Sequence, residues 1–228
     1  MRGSSPPTLS VIIPTLDEEA CIARAVRSVR DAAEVIVVDG GSHDGTRRVA
    51  ESEGAVVLTV APGRGGQLHA GARRAHGDWL VFLHADTWLE PGWAEALRDL
   101  EPALVGGAFR FAIDSARLGY RVVEASVILR CRVFRLPYGD QGLFVRRVVY
   151  EGIGGFPPIP LMEDVAFVRR LSRAGRLAFP AVRAFTSPRR WEQRGILSAT
   201  VRNWWLLGQY AAGRPPEELA RSYDRSWR

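Results

Sequence analysis

Trp79-Leu80-Val81-Phe82-Leu83 runs directly into His84-Ala85-Asp86-Thr87, an apolar run that ends in a turn carrying a carboxylate. Two earlier stretches share this design. Ser10-Val11-Ile12-Ile13 leads into Pro14-Thr15-Leu16-Asp17-Glu18-Glu19, and Glu34-Val35-Ile36-Val37-Val38 leads into Asp39-Gly40-Gly41-Ser42-His43-Asp44-Gly45. In an open parallel sheet, ligands bind outside the carboxyl ends of the strands, so three such turns can converge on one crevice although distant in sequence. A metal-bound nucleotide diphosphate is the guest expected there.

Helix-like segments separate these runs, and the resulting β-α-β-α-β-α-β order predicts an α/β fold with a mostly parallel sheet flanked by helices. Residues 18–30 carry Ala20, Ile22, Ala23, Val26 and Val29 at helical spacing. Asp44 is placed to cap a helix over 45–53, and a strand is expected over 55–60. The glycine-rich stretch 61–66 reads as a flexible turn before a helix over 67–76. Further on, 104–113 reads as one strand, 116–134 as a helix, 143–146 as a short strand and 162–174 as a helix. A helix over 196–211 has Leu197, Val201, Trp204, Trp205 and Leu207 on one broad side. It either docks on the domain or lies in a membrane interface, where tryptophan and arginine suit the headgroup region. The expected organisation is a flexible N-terminus over 1–8, a domain over 9–190 and a C-terminal helical extension over 191–228.

With 228 residues, 46% hydrophobic and 25% charged, the chain can build a substantial core, which excludes wholesale disorder. Its formal net charge is +6, and every one of its 31 basic residues is arginine. The sequence pI of 10.1 would permit nucleic-acid binding, but no nucleic-acid module is recognisable, so no such partner is expected. Acidic small substrates or an anionic membrane surface suit the charge equally well. Cys21 and Cys131 lack C-x-x-C spacing and read as buried free thiols. No run approaches the length of a spanning helix and the first residues lack an apolar leader, so a cytoplasmic protein, soluble or peripheral, is expected.

Asp86 is the strongest candidate for metal chemistry. Magnesium and manganese prefer hard oxygen ligands and share their coordination sphere with phosphates, so one protein carboxylate can position a metal diphosphate. His84, two residues earlier in an extended segment, points to the same side; it is either a second ligand, if manganese is used, or a hydrogen-bonded pocket residue. Asp39 can accept from a base N–H, with Gly40 and Gly41 letting the backbone approach a planar ring. Arg64 stands among Gly63, Gly65 and Gly66, where it can clamp a phosphate oxygen or be merely solvated. Glu163-Asp164 opens a helix after the turn 152–160, and offers either a general base for a hydroxyl nucleophile or acids favoured by the helix dipole. Arg189-Arg190-Trp191 adds cationic and aromatic surface.

Taken in order, Val11 to Glu19, Val37 to Thr46, Gly77 to Thr87, Gly154-Gly155-Phe156 and Met162-Glu163-Asp164-Val165 resemble the family 2 glycosyltransferases over nearly the whole chain. The resemblance implies the GT-A fold, a Rossmann-like sheet with helices on its faces. It implies that Pro14, Thr15, Asp17 and Glu18, with Arg64 and Ala85, frame a nucleotide pocket whose base Asp39 reads. Asp86 matches the last carboxylate of the family's D-x-D metal motif, with His84 beside it, and Asp164 matches the catalytic base. Asp140, Gln141, Glu163, Arg190 and Trp191 are expected toward the acceptor or donor sugar. Arg190-Trp191 resembles the end of the Q-x-x-R-W signature of processive members, but Ser187 stands where its glutamine would be, which argues against a polymer synthase. Gly40 and His84 also depart from the pattern, each standing where an aspartate is frequent. Tyr138 to Gly142, Phe82 to Thr87 and Pro160 to Asp164 further resemble a bacterial branch labelled arsenosugar-biosynthesis glycosyltransferases, which implies a small-molecule acceptor.

The implied activity is inverting transfer of a sugar from a nucleotide diphosphate sugar, with a UDP-sugar favoured, to a small hydroxyl acceptor, assisted by Mn2+ or Mg2+. Two alternatives stand beside it. A nucleotidyltransferase forming a nucleotide sugar would need a phosphate-gripping glycine-rich loop at the first strand and usually a lysine, whereas this chain has Pro14-Thr15-Leu16-Asp17 there and no lysine. An inactive sugar-nucleotide-binding or membrane-surface module would have no need to retain both Asp86 and Glu163-Asp164.

Overall fold

The computed structural model describes residues 6–225. Strands β1 (Leu9–Thr15), β2 (Glu34–Asp39), β3 (Val56–Thr59) and β4 (Trp79–Phe82) alternate with helices α1 (Glu19–Ser28), α2 (Thr46–Ser52) and α3 (Arg64–Arg74). Next come β5 (Thr87–Leu89), α4 (Trp93–Arg98), β6 (Leu104–Ala108), β7 (Arg110–Ile113) and α5 (Leu118–Phe134). After a short 3-10 turn at Gly139–Gln141 follow β8 (Leu143–Arg146), α6 (Arg147–Gly152) and α7 (Glu163–Ala174). The chain closes with β9 (Arg176–Ala178), β10 (Arg183–Thr186), α8 (Arg189–Arg194), α9 (Ile196–Ala211) and α10 (Pro216–Arg225).

The main sheet has seven strands in the order β3-β2-β1-β4-β8-β6-β9. β1 lies parallel to both β2 and β4, pairing Thr15 with Asp39 on one side and Ile12 with Phe82 on the other. β8 runs antiparallel to β4 and β6, while β6 and β9 are again parallel, so the sheet is mostly parallel with β8 reversed. Every residue of β1 is buried. Alternate side chains point to opposite faces of a strand, which sends Val11 and Ile13 toward Ile22 and Val26 of α1 and sends Ile12 toward Leu68 and Ala72 of α3. A second sheet, β5-β10-β7, flanks the first.

Several boundaries differ from the sequence reading, each for a local reason. Residues 104–113 are not one strand. The chain leaves the main sheet at Phe109, whose N–H donates to the Gln141 carbonyl at 3.1 Å, and continues as β7 in the second sheet. Just before the break, Gly107 is required because a Cβ there would overlap the Ala178 carbonyl of β9. The glycine-rich turn is shorter than expected, since Arg64, Gly65 and Gly66 already form the first turn of α3. Gly45 takes the cap position of α2, and Asp44 contributes one residue earlier by accepting the Thr46 N–H at 2.9 Å. Of the N-terminal segment expected to be flexible, residues 1–5 lie outside the described residues, and Thr8 is tied to Asp78 by three hydrogen bonds. At the other end, α8 spans residue 190 and Trp191 is buried against Phe111 and Tyr120. No helix among the described residues is long and apolar enough to cross a membrane.

Tyr150 of α6 packs among Phe82, Phe156 and Phe167, and its hydroxyl accepts the Phe156 N–H at 3.2 Å. Burial pushes its pKa up to about 12. In the unfolded chain a tyrosine ionises near pH 10, so the unfolded state releases this proton first. The stabilisation is fully present below about pH 10 and falls as pH rises from there toward 12. Tyr150→Phe should therefore flatten the alkaline loss of stability, measured by urea denaturation across about pH 9 to 11.

Candidate active site

The strand order reverses direction between β1 and β4, and the chain leaves their carboxyl ends on either side of a crevice, the place where open α/β sheets bind ligands. A cavity of about 640 Å³ occupies it. Pro14, Thr15 and Glu18 line it from the end of β1, His84, Ala85 and Asp86 from the end of β4, and Arg64 and Gln67 from the start of α3. This volume lies in the range of pockets that enclose cofactor-sized ligands. A smaller cavity of about 90 Å³ adjoins it and is lined by Tyr138, Asp140 and Asp164. Arg64, His84, Leu161 and Tyr223 belong to both, so the two cavities form one cleft.

Two adjacent carboxylates at the start of α7 face different ways. Met162, in the left-handed region at φ 66°, turns the chain into the helix. Glu163 is then directed inward, where it is 1% exposed and paired with Arg64. Burial works against the charge on Arg64, but Glu163 and Asp164 more than offset it and raise the guanidinium pKa. Asp164 turns to the smaller cavity. Its Oδ2 accepts the Gly139 N–H at 2.9 Å and its Oδ1 accepts the Val165 N–H at 2.8 Å. These bonds fix the orientation of the carboxylate and leave further lone pairs for a ligand hydroxyl. A Cβ on Gly139 would stand 2.9 Å from His84 Nε2 and 3.4 Å from Asp164 Oδ2, which shows how closely the ends of β4 and α7 approach.

Asp86 is held by its backbone: the Thr87 N–H donates to the His84 carbonyl at 3.1 Å, and the Ser187 N–H donates to the Asp86 carbonyl at 3.0 Å. Its side chain is half-buried, and Oδ1 receives one hydrogen bond, from Thr87 Oγ1 at 3.5 Å. Arg189 donates to Glu18 at 2.8 Å on the same rim. That bond raises the Arg189 pKa, and the nearby Asp86 charge acts in the same direction. Among the described residues, no group of three or more His, Cys, Asp and Glu forms a self-sufficient metal cage. Asp86 and His84 could therefore hold a hard divalent cation only if ligand oxygens completed its coordination, as phosphates do for magnesium and manganese.

Five expected site residues are placed elsewhere. Asp39 was expected to read a base, yet its carboxylate is fully buried and accepts the Gly41 and Ser42 N–H groups, each at 3.0 Å, together with Ser42 Oγ. Asp17 is exposed at φ 53° and does not line the cavity; its Oδ1 accepts the His43 N–H at 2.8 Å, which braces the first loop on the second. Glu163 is the buried partner of Arg64 and lines neither cavity. Gln141 is 2% exposed, with its Oε1 taking the Tyr138 N–H at 3.0 Å and its Nε2 donating to the Phe109 carbonyl. Trp191 belongs to an apolar cluster with Phe111 and Tyr120, although one edge reaches a minor pocket shared with Asp140. The Arg190 side chain lies outside the described residues.

Other contributors escaped the sequence reading. Gln67 Nε2 donates to the Thr15 and Val38 carbonyls at 2.9 and 2.8 Å, joining the ends of β1 and β2 beneath the cavity. A polar residue on the buried face of an amphipathic helix was the available signal. Tyr138, with the Arg130 guanidinium 3.4 Å from its ring centre, lines the smaller cavity. Burial pushes its pKa up to about 12, so it remains a hydroxyl at neutral pH. Ala220 and Tyr223 of α10 line the larger cavity, a position that no local pattern in the C-terminal third announces.

Comparison with known proteins agrees with this architecture. The lipopolysaccharide core biosynthesis glycosyltransferase LpsC of Rhizobium meliloti (strain 1021) is 28% identical over 156 residues, covering 64% of this chain and 56% of that protein. This chain thus spans little more than half the length of that relative. The crystal structure of S. aureus TarS 1–349 superposes with a TM-score of 0.62 at 17% identity, over 79% of this chain and 61% of the other. Glucosyl-3-phosphoglycerate synthase from Mycobacterium tuberculosis, solved with Mn2+, uridine diphosphate and phosphoglyceric acid, superposes at 0.58 with 23% identity, over 76% and 68% of the two chains. At such identities the structural likeness speaks for the fold. The model of glycosyl transferase family 2 matches residues 10–138, more than half of the sequence, and the chain belongs to that family.

Proposed function

We propose that this chain is an inverting glycosyltransferase that moves a sugar from a nucleoside diphosphate sugar, UDP-linked in preference, to a hydroxyl of a small acceptor. The observation that carries this reading is the pair of joined cavities, one holding Asp86 and His84 and the other Asp164. Residues 9–90 and 91–190 form the nucleotide and acceptor halves, and the enzyme works in the cytoplasm. A small acceptor fits the size of the smaller cavity and the narrower bacterial resemblance of Tyr138–Gly142 and Pro160–Asp164. Peripheral membrane contact through 196–211 is consistent with the half-exposed Trp204 and Trp205.

The nucleoside enters beside Pro14 and Thr15, and the diphosphate lies between Asp86 and Arg64. Mn2+ or Mg2+, held by Asp86 with His84 as a second candidate, would offset charge on the departing diphosphate. The solved M. tuberculosis relative that contains Mn2+ and uridine diphosphate supports this choice. Arg64, kept protonated by Glu163 and Asp164, supplies a fork for a phosphate oxygen. Asp164 accepts the proton of the acceptor hydroxyl as that oxygen bonds to the anomeric carbon. The bond from this carbon to the diphosphate oxygen breaks on the opposite face, and the configuration inverts. Tyr138, a protonated donor, orients the acceptor.

Asp164→Ala should lower transfer by about 100-fold or more while leaving the thermal shift caused by uridine diphosphate and Mn2+ intact. Asp86→Ala should abolish the Mn2+-dependent part of that shift. Wild-type turnover by Asp164→Ala would remove the assigned base, and pyrophosphate release from a nucleoside triphosphate would favour the nucleotidyltransferase alternative. Glu163→Gln tests the anchor. Arg64 is 37% exposed, so solvent screens part of the loss, and we expect a fall of about 1 kcal/mol in unfolding free energy by urea denaturation. Weaker uridine diphosphate binding by calorimetry should accompany it.

A further inference from the structure

Helix α5 is apolar on two opposite faces. Tyr120, Val123 and Cys131 face the interior, whereas Leu118, Val122, Leu129 and Val133 recur at helical spacing on the other side and are between 60% and 83% exposed. α9 packs on α5 and presents Val201, Trp204 and Trp205, which are 58%, 45% and 48% exposed. Trp204 reaches the seam beside Val123 and Val127, on the inward side of α5. Water-exposed patches of this kind mark interaction surfaces.

The charge around the patch selects the occupant. Arg117, Arg121 and Arg135 are exposed along α5. The one acidic residue of that helix, Glu124, is largely buried, paired with Arg121 at 3.0 Å and bonded to the Ile113 N–H. The sequence 196–211 contains no acidic residue. A second copy docked by two-fold symmetry would bring two arginine-rimmed patches together, which like-charge repulsion opposes. Anionic lipid headgroups neutralise Arg117 and Arg135 while the apolar side chains of α5 enter the acyl boundary. We infer that α5 forms a platform that docks on an anionic lipid surface through its exposed stripe. The platform lies on α5 and is additional to the membrane contact considered for 196–211. It requires no part of the transfer chemistry.

Co-sedimentation with vesicles of phosphatidylcholine, alone or mixed with phosphatidylglycerol, tests the platform. The wild-type chain should sediment with the mixed vesicles, release with added salt, and stay in solution with phosphatidylcholine alone. Combining Leu129→Glu with Val133→Glu should lower vesicle binding about tenfold or more, with the melting temperature unchanged because both positions are exposed. Arg117→Gln with Arg135→Gln should weaken binding to the mixed vesicles only. Equal binding to both vesicle types would overturn the proposal. So would wild-type binding by the α5 double variant when Trp205→Ser abolishes it, since the contact would then belong to α9 alone. A dimer by light scattering that Leu129→Glu with Val133→Glu turns into monomer, without vesicle binding by the wild type, would assign the face to self-association instead.

Discussion

The ion pair between Arg64 and Glu163 is the joint on which the cleft turns. It links the first residue of α3 to the first residue of α7, and so connects the parallel half of the sheet to the element that carries Asp164. With Glu163 buried, the rotation of α7 about its axis is set, and the next residue, about 100° further round the helix, faces the smaller cavity. Close approach is part of the same joint: a Cβ on Gly65 would stand 2.5 Å from the Pro157 carbonyl oxygen and 3.3 Å from Glu163 Cβ. Glycine at that position lets the two helix starts meet.

Electrostatics then give the cleft its preference. Glu18, Asp86, Asp140 and Asp164 surround it, and on their own they would repel a diphosphate. Arg64 offsets part of this field, while Arg189 is engaged with Glu18. On the proposed reading the remaining imbalance is what a divalent cation supplies, and Asp86 lies where such a cation would meet both protein and phosphate. Asp39 and Asp17 serve this arrangement from behind, by fixing the loops after β1 and β2 against each other.

The parallel half of the fold was legible because its strands are short unbroken apolar runs and its helices have clear periodicity. β1, β2, β4 and β8 lie where the pattern put them. The pattern was silent where one alternation continues across a change of sheet, as at Phe109, because alternation records which face is apolar and not which neighbour pairs with it. The same limit applied to the site. Asp86, Asp164, His84 and Arg64 are found lining the cleft, but Glu163 and Asp164 are neighbours in sequence, and only the packing of Arg64 separates anchor from cleft residue. Gln141 and Trp191 read as functional from their place near a motif, whereas the structure ties them to long-range partners, Phe109 and Phe111.

The central claim is that Asp86 and Asp164 serve a single ligand within one cleft. An anomalous diffraction map from crystals grown with Mn2+ and uridine diphosphate tests it most directly. The account requires an Mn2+ peak at the Asp86 carboxylate, bridged by diphosphate oxygens that reach toward Arg64, with the Asp164 side of the cleft left open. Uridine diphosphate bound away from Asp86, or a metal peak at a place where no diphosphate contacts it, would contradict the account.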